Sequence, residues 1–155
     1  MINEVVFRSY INEYFYLLLD IFTNAYDDDA IMSTGSEYEY NISAENELNV
    51  IIDKSDISEV IVWKNKIIGG LFLKQNGQNI EILSIFIDPF YQNVELGTEI
   101  VKKNICQHNC DFEAKVPIYS KRLTYFFSKK CGFKISNTET YLIDNYFKYK
   151  KKVSQ

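Results

Sequence analysis

The stretch Ile80 to Thr98, IEILSIFIDPFYQNVELGT, decides how this chain is read. Ile80 to Ile87 reads as a strand. Asp88-Pro89 with the aromatics Phe90 and Tyr91 turns the chain, and a short loop then runs straight into a helix beginning at Leu96. A helix N-terminus leaves its first backbone N–H groups without intrahelical partners, and the helix dipole adds partial positive charge there. A strand that delivers the chain directly to such a terminus builds a pocket for phosphate.

Working outward, the segment before it reads as an antiparallel meander. Glu59 to Trp63 is β-branched and apolar, Lys64-Asn65-Lys66 turns, and Ile67 to Leu73 returns as a strand. Gln75 to Asn79 supplies a second turn around Asn76-Gly77. After it, Leu96 to Cys106 carries Ile100, Val101 and Ile105 at helical spacing, and Phe112 to Ile118 reads as another strand. Strand, helix and strand in that order imply a local parallel pairing or crossover over Ile80 to Ile118.

The ends follow the same logic. Val5-Val6-Phe7 is a short strand. Ile11, Phe15, Leu18, Leu19 and Phe22 form a helical stripe that frays near Asp27-Asp28-Asp29. Residues 33 to 43 read as polar and irregular, and Glu45 to Asp53 as a second helix. Ser120 is placed to cap a helix from Lys121 to Cys131, with Leu123, Phe126, Phe127 and Cys131 inward and Gly132 as its stop. Phe133–Ser136 and Tyr141–Lys148 make a closing strand pair. Residues 1–149 are expected as one domain and 150–155 as a disordered tail.

Composition sets the outer bounds. At 155 residues, 46% hydrophobic and 25% charged, the chain suits a single domain with a real core. The net charge of -4 argues against nucleic-acid binding and is compatible with a cationic or amine-bearing partner. No apolar run is long enough to span a bilayer. Glu4 and Arg8 interrupt any signal-like core. Three cysteines point to a reducing compartment, so a cytoplasmic location is expected.

Three pieces of the chain together resemble the GNAT superfamily of N-acetyltransferases. Ile87-Asp88-Pro89-Phe90-Tyr91-Gln92-Asn93-Val94-Glu95-Leu96-Gly97 is similar to that family's strand-loop-helix motif. Upstream, Lys66 to Leu71 resembles its turn into the third strand. Downstream, Phe126 to Phe133 resembles its helix ending in Gly-Phe. The similarity spans about Ser58 to Phe147.

The resemblance implies an α/β (α+β) fold. Its mostly antiparallel mixed sheet is splayed after the third meander strand and flanked by about four helices. It implies acetyl-coenzyme A as co-substrate, with the pyrophosphate on the amides of Gln92, Asn93, Val94, Glu95, Leu96, Gly97 and Thr98. The pantetheine arm would pair with the main chain of Ile85, Phe86 and Ile87. Glu95 departs from the motif, standing where the family has its first glycine. A carboxylate about 4 Å from a phosphate charge would cost about 1 kcal/mol in water and about 4 at an effective dielectric of 20.

The implied activity is transfer of an acetyl group to a primary amine, on a small molecule or a peptide, by direct attack. Such a reaction needs a proton acceptor and benefits from a donor to the leaving thiolate. Glu81, eleven residues before Gln92, matches the position of a glutamate base in some members. The family's usual acid is a tyrosine four residues before the helix-ending glycine; here that position is Ser128, and Tyr125 lies one turn earlier. Glu95 and Ser128 favour the alternative of an inactive GNAT-like scaffold or protein-interaction module. Asp27 to Asp29, with Glu37 and Glu39, read first as a solvated helix end and second as a surface drawing in a cationic acceptor. Cys106-Gln107-His108-Asn109-Cys110 lacks the ligand number and spacing of a metal site, and no metal is expected. Dimers are common in the family, so a homodimer is compatible with the sequence.

Overall fold

Seven strands form one sheet in the order β1-β2-β3-β4-β5-β7-β6. They are β1 (Val5–Ser9), β2 (Ile57–Trp63), β3 (Lys66–Asn76), β4 (Asn79–Ile87), β5 (Asp111–Pro117), β6 (Lys134–Tyr141) and β7 (Asp144–Lys151). The helices are α1 (Phe15–Ala25), α2 (Glu37–Lys54) and α3 (Leu96–His108), joined by 3₁₀ turns at Asn12–Tyr14 and Pro89–Val94 and a π-helical turn at Phe126–Lys130. The computed structural model describes residues 5–25, 37–94, 96–108, 110–117, 125–141 and 144–151.

The meander is held by tight hairpins. Lys64 and Asn65 both adopt left-handed φ, 53° and 63°, which matches the twist of a two-residue β2–β3 turn. Between β3 and β4 the turn shrinks to Gly77-Gln78, because Asn76 and Asn79 already pair; Gly77, at φ 63°, takes the left-handed position. Every pairing is antiparallel except β4 with β5, which is parallel as the strand-helix-strand order requires.

Two apolar layers cover the sheet. On one face Ile61, Ile68, Leu71, Ile80, Ile82, Ile85 and Ile87 meet Leu96, Ile100, Val101 and Ile105 of α3. Phe127, Cys131 and Phe133 extend that layer. On the other face Val60, Val62, Phe72 and Phe86 meet Leu18, Ile21, Phe22 and Ala25 of α1 and Ala44 and Leu48 of α2. Phe86 is the hub there, edge-on to Phe22 at 5.1 Å and stacked with Phe72 at 6.0 Å. Each fully buried Leu or Ile in such layers contributes about 1.5–3 kcal/mol.

Four sequence expectations are corrected. The second helix begins at Glu37, not Glu45. Its polar opening reads as irregular, yet the helix already runs through it. The closing strands are longer than expected and meet between Tyr141 and Asp144. Ser136, expected as the last residue of its strand, is a bulge within it, since Ile135 pairs Tyr149 while Asn137 pairs Lys148. Lys150 and Lys151 do not belong to a tail: β7 continues through them, opposite Glu113 and Phe112. Among the described residues, the expected helix from Lys121 to Cys131 is a π-helical turn from Phe126 to Lys130. Gly132 does end it, with φ 77° and the Phe133 N–H bonded to the Phe127 carbonyl at 2.8 Å. Ser120, Leu123, Asp27 to Asp29 and Glu95 lie outside the described residues.

Candidate active site

The site is built by the parting of β4 from β5. The two strands pair from Asn79↔Asp111 to Ile82↔Ala114 and no further, although β4 continues to Ile87. A bulge explains the timing. Against β3, Phe72 pairs Ser84 but Leu73 pairs Ile82, so Leu83 is an extra residue on β4. A bulge bends its strand and sharpens its twist, and here it does so where the parallel ladder stops.

The upper half of β4 is drawn toward β3 instead. Gly69 lies opposite Ile87, and a Cβ built on Gly69 would stand 2.1 Å from the Phe86 carbonyl oxygen. Only glycine permits that approach. At Gly70 the space is filled by the Phe72 and Phe86 rings, each with an atom 2.8 Å from a built Cβ. The Asp88 N–H closes the top by bonding the Ile68 carbonyl at 2.7 Å. One side of β4 is thus clamped, and the other side opens into a fork.

At the head of the fork the chain makes its 3₁₀ turn and enters α3. The Asp88 side chain accepts the Phe90 N–H at 3.0 Å, which fixes the turn's start. Tyr91 packs edge-on to Trp63 at 5.5 Å, pinning the loop to the end of β2. Midway along α3, the Lys103 ammonium bonds the Val5 carbonyl at 3.0 Å and ties the helix to the edge strand.

The expected coenzyme residues that are described fall on three consecutive elements. Ile85, Phe86 and Ile87 form the β4 half of the fork beyond its last β5 pair. Leu96, Gly97 and Thr98 form the first turn of α3, with Leu96 and Thr98 buried. Gln92, Asn93 and Val94 belong to the 3₁₀ turn. Gly97 has a packing duty that sequence alone does not show: a built Cβ would lie 3.0 Å from the Phe126 ring. That contact sets the π-helical turn, with Ser128 and Tyr125, beside the start of α3. Ser128 is half buried and engaged in an interaction, whereas Tyr125 is 56% exposed.

Glu81 is 8% exposed and sits two residues before the bulge, and its carboxylate accepts the Asn76 amide at 2.9 Å. It projects from the α1/α2 face, since its neighbours Ile80 and Ile82 project from the other. Two residues not anticipated from sequence join it. Glu113 of β5, 5% exposed, is its direct partner in the parallel register. Ser84, 7% exposed, follows it on the same face. A sequence signal for Ser84 exists: the apolar spacing Ile80, Ile82, Ile85, Ile87 skips by three once, which marks the bulge. Glu113 has none, because parallel register is not written locally.

Away from the fork, burial pushes the Glu59 carboxyl up, while His108 and Asn104 pull it down. Asn104 is buried with neither side-chain polar atom at bonding geometry, so its contact with Glu59 is longer than a formed hydrogen bond. Burial, then Asp111, pushes the Cys110 thiol up. His108 is the last residue of α3, and among the described residues no three His, Cys, Asp or Glu side chains converge as a metal site. No helix among them is long and apolar enough to cross a membrane.

No protein-family model and no curated protein matches the sequence. Solved structures match along nearly the whole chain. An acetyltransferase from Thermus thermophilus is 14% identical with a TM-score of 0.75, covering 96% of this chain and 97% of its own. The PaiA N-acetyltransferase of Thermoplasma acidophilum, in complex with coenzyme A, is 16% identical with a TM-score of 0.71, covering 96% and 99%. The Escherichia coli ribosomal-protein-S18-alanine N-acetyltransferase is 12% identical with a TM-score of 0.66, covering 97% and 95%. The chain therefore has the GNAT fold, with its mostly antiparallel mixed sheet splayed between β4 and β5.

Proposed function

We propose that this GNAT-fold chain is an N-acetyltransferase that moves an acetyl group from acetyl-coenzyme A to a primary amine. The observation that carries the reading is the fork. β4 and β5 part after Ile82 and Ala114, and the N-terminus of a thirteen-residue helix stands at the end of β4. That arrangement offers an extended arm a strand edge and offers a pyrophosphate the N–H groups and dipole of α3. The PaiA structure of this fold, in complex with coenzyme A, supports the same reading.

The co-substrate supplies an activated thioester. The acceptor amine, entering from the α1/α2 face, attacks the carbonyl carbon. A C–N bond forms, the C–S bond breaks, and the thiolate leaves with the electron pair. Glu81 takes the proton released from nitrogen, with the Asn76 amide holding its carboxylate in place. Ser128, or Tyr125 one turn earlier, donates a hydrogen bond to the departing sulfur. No covalent enzyme intermediate is needed. The acceptor class is an amine-bearing small molecule or peptide, and the fold's use by an enzyme named for a ribosomal-protein alanine supports including peptide N-termini.

Calorimetric titration with acetyl-coenzyme A tests the reading directly. Micromolar binding, followed by thiol release that depends on added amine, is the expected result. No heat of binding at millimolar ligand would sink the enzyme reading and leave the scaffold alternative.

A further inference from the structure

Among the described residues, five polar or charged ones are buried: Glu81, Ser84, Thr98, Asn104 and Glu113. Three of them, Glu81, Ser84 and Glu113, share the α1/α2 face at the point where β4 and β5 part. Glu81 is held by Asn76, and Glu113 is engaged with a partner. Ser84 differs: its hydroxyl makes no hydrogen bond among the described residues, yet its oxygen is not among the unpartnered polar atoms sealed from solvent, which belong to Trp63 and Asn104. In a residue only 7% exposed, an oxygen that keeps access to solvent faces a space and not packed hydrocarbon. The bulge at Leu83 adds to the case. It places Ser84 on the Glu81 face, opposite Phe72, where an unbulged strand would turn it to the α3 side.

Resting on the acetyltransferase reading above, we propose that Ser84 is the acceptor-facing residue of the reaction. Its hydroxyl oxygen accepts a hydrogen bond from the attacking amine, and its own proton passes through one water to Glu81. Glu81 and Ser84 stand opposite Lys74 and Phe72, two residues apart on β3, so about 7 Å separates them along the strand, too far for a short direct bond and right for one bridging water. The carboxylate has an acceptor position to spare, since only Asn76 bonds it among the described residues. The proton balance closes. As the C–N bond forms and the C–S bond breaks, nitrogen loses one proton to Ser84, Ser84 gives one to the water, and the water gives one to Glu81. Serine ends as it began, and Glu81 returns its proton to solvent after product leaves.

The test uses the full chain, acetyl-coenzyme A, and two probe acceptors, a linear alkyl diamine and an alanine-initiated peptide. Ser84→Ala should lower kcat by about 10- to 100-fold. Acetyl-coenzyme A affinity and acceptor KM should stay within about threefold, and the solvent deuterium effect on kcat should change. Ser84→Thr, which keeps the hydroxyl, should recover most of the rate. Should the alanine variant not fold, Ser84→Cys replaces it in the same comparison. A kcat within twofold of wild type, or a threonine variant as slow as alanine, overturns the relay and leaves the enzyme reading standing. A wild type that binds acetyl-coenzyme A but acetylates neither probe overturns the relay and the amine acceptor together. A wild type that binds no acetyl-coenzyme A removes the function on which both rest.

Discussion

On one face of β4, Ile80, Ile82, Ile85 and Ile87 pack against α3 and the π-helical turn; on the other, Glu81 and Ser84 share the surface with Phe86 beneath α1. The first face is continuous hydrocarbon. The second is apolar at its upper end and polar at the fork. Strict alternation along a strand cannot produce both patterns, because Ile82 and Ile85 are three residues apart. The extra residue at Leu83 reconciles them and also bends β4 away from β5. One irregularity thus keeps the α3 face continuous and sets Glu81 and Ser84 together on the other, where the β4–β5 ladder ends.

The largest expected effect comes from removing that irregularity. Deleting Leu83 restores strict alternation with Ile85 and Ile87 still on the α3 face and Ser84 and Phe86 still beneath α1, so both faces survive and only the bend is lost. β4 can then follow β5 beyond Ile82 and the fork narrows, so a chain that still melts cooperatively is expected to lose acetyl-coenzyme A binding in calorimetry. A variant that binds acetyl-coenzyme A like wild type would show that the bulge does not open the fork. Next is Gly69→Ala. Its Cβ would meet the Phe86 carbonyl oxygen, a backbone atom that cannot swing aside, so β3 and β4 must separate. A loss of about 3 kcal/mol in denaturant unfolding is expected. A loss under 1 kcal/mol would mean that the clamp on the upper half of β4 is soft.

Much of this contrast was legible in the sequence, and the illegible parts share a cause. The meander turns, the strand-helix-strand unit and the stop at Gly132 are local signals carried by a few adjacent residues. So is the exit Asp88-Pro89, whose geometry places α3. The helical start at Glu37 was missed because tyrosine and asparagine blur the helical period there. Glu81 was named as a candidate by resemblance. Glu113 was not, because its opposition to Glu81 depends on the register of two strands separated by a helix. Gly97 read as room for a ligand, but its nearest neighbour is Phe126, a contact across the fold. Glu95 lies outside the described residues.

The side of the comparison proposed as catalytic is sharpened by Glu81→Gln. Glutamine keeps an oxygen for the Asn76 amide and nearly the same volume, so the fold and the acetyl-coenzyme A affinity should hold. Loss of the proton acceptor should lower kcat by about 10²- to 10⁴-fold. The readout is amine-dependent thiol release beside calorimetric binding on the same sample. Equal turnover across the pH range would remove Glu81 from the mechanism and leave the polar face without its base. Fallen binding with intact turnover of bound substrate would instead make Glu81 a structural member of the fork.

The smallest effect probes the dry face, which has its own polar intrusion. Glu59 projects from β2 toward α3, where burial raises its carboxyl above the ordinary 4.5, against the opposing pull of His108 and Asn104. Between the unfolded and folded values the native state holds more protons than the unfolded chain, so stability falls as pH rises through that window. Below about pH 4 both states are protonated and the penalty is absent; above the folded value it is complete and constant. Glu59→Gln should therefore be more stable than wild type at pH 7, with the difference shrinking to nothing near pH 4. Because Glu59 is half exposed, water screens the effect, and less than about 1 kcal/mol is expected. That corresponds to a rise in Tm of at most about 4 °C. A glutamine variant less stable than wild type at pH 7 would reverse the assignment: the attraction between Glu59 and His108 would then outweigh the cost of burial, and the α3 face would depend on that charge pair as the fork face depends on Glu81.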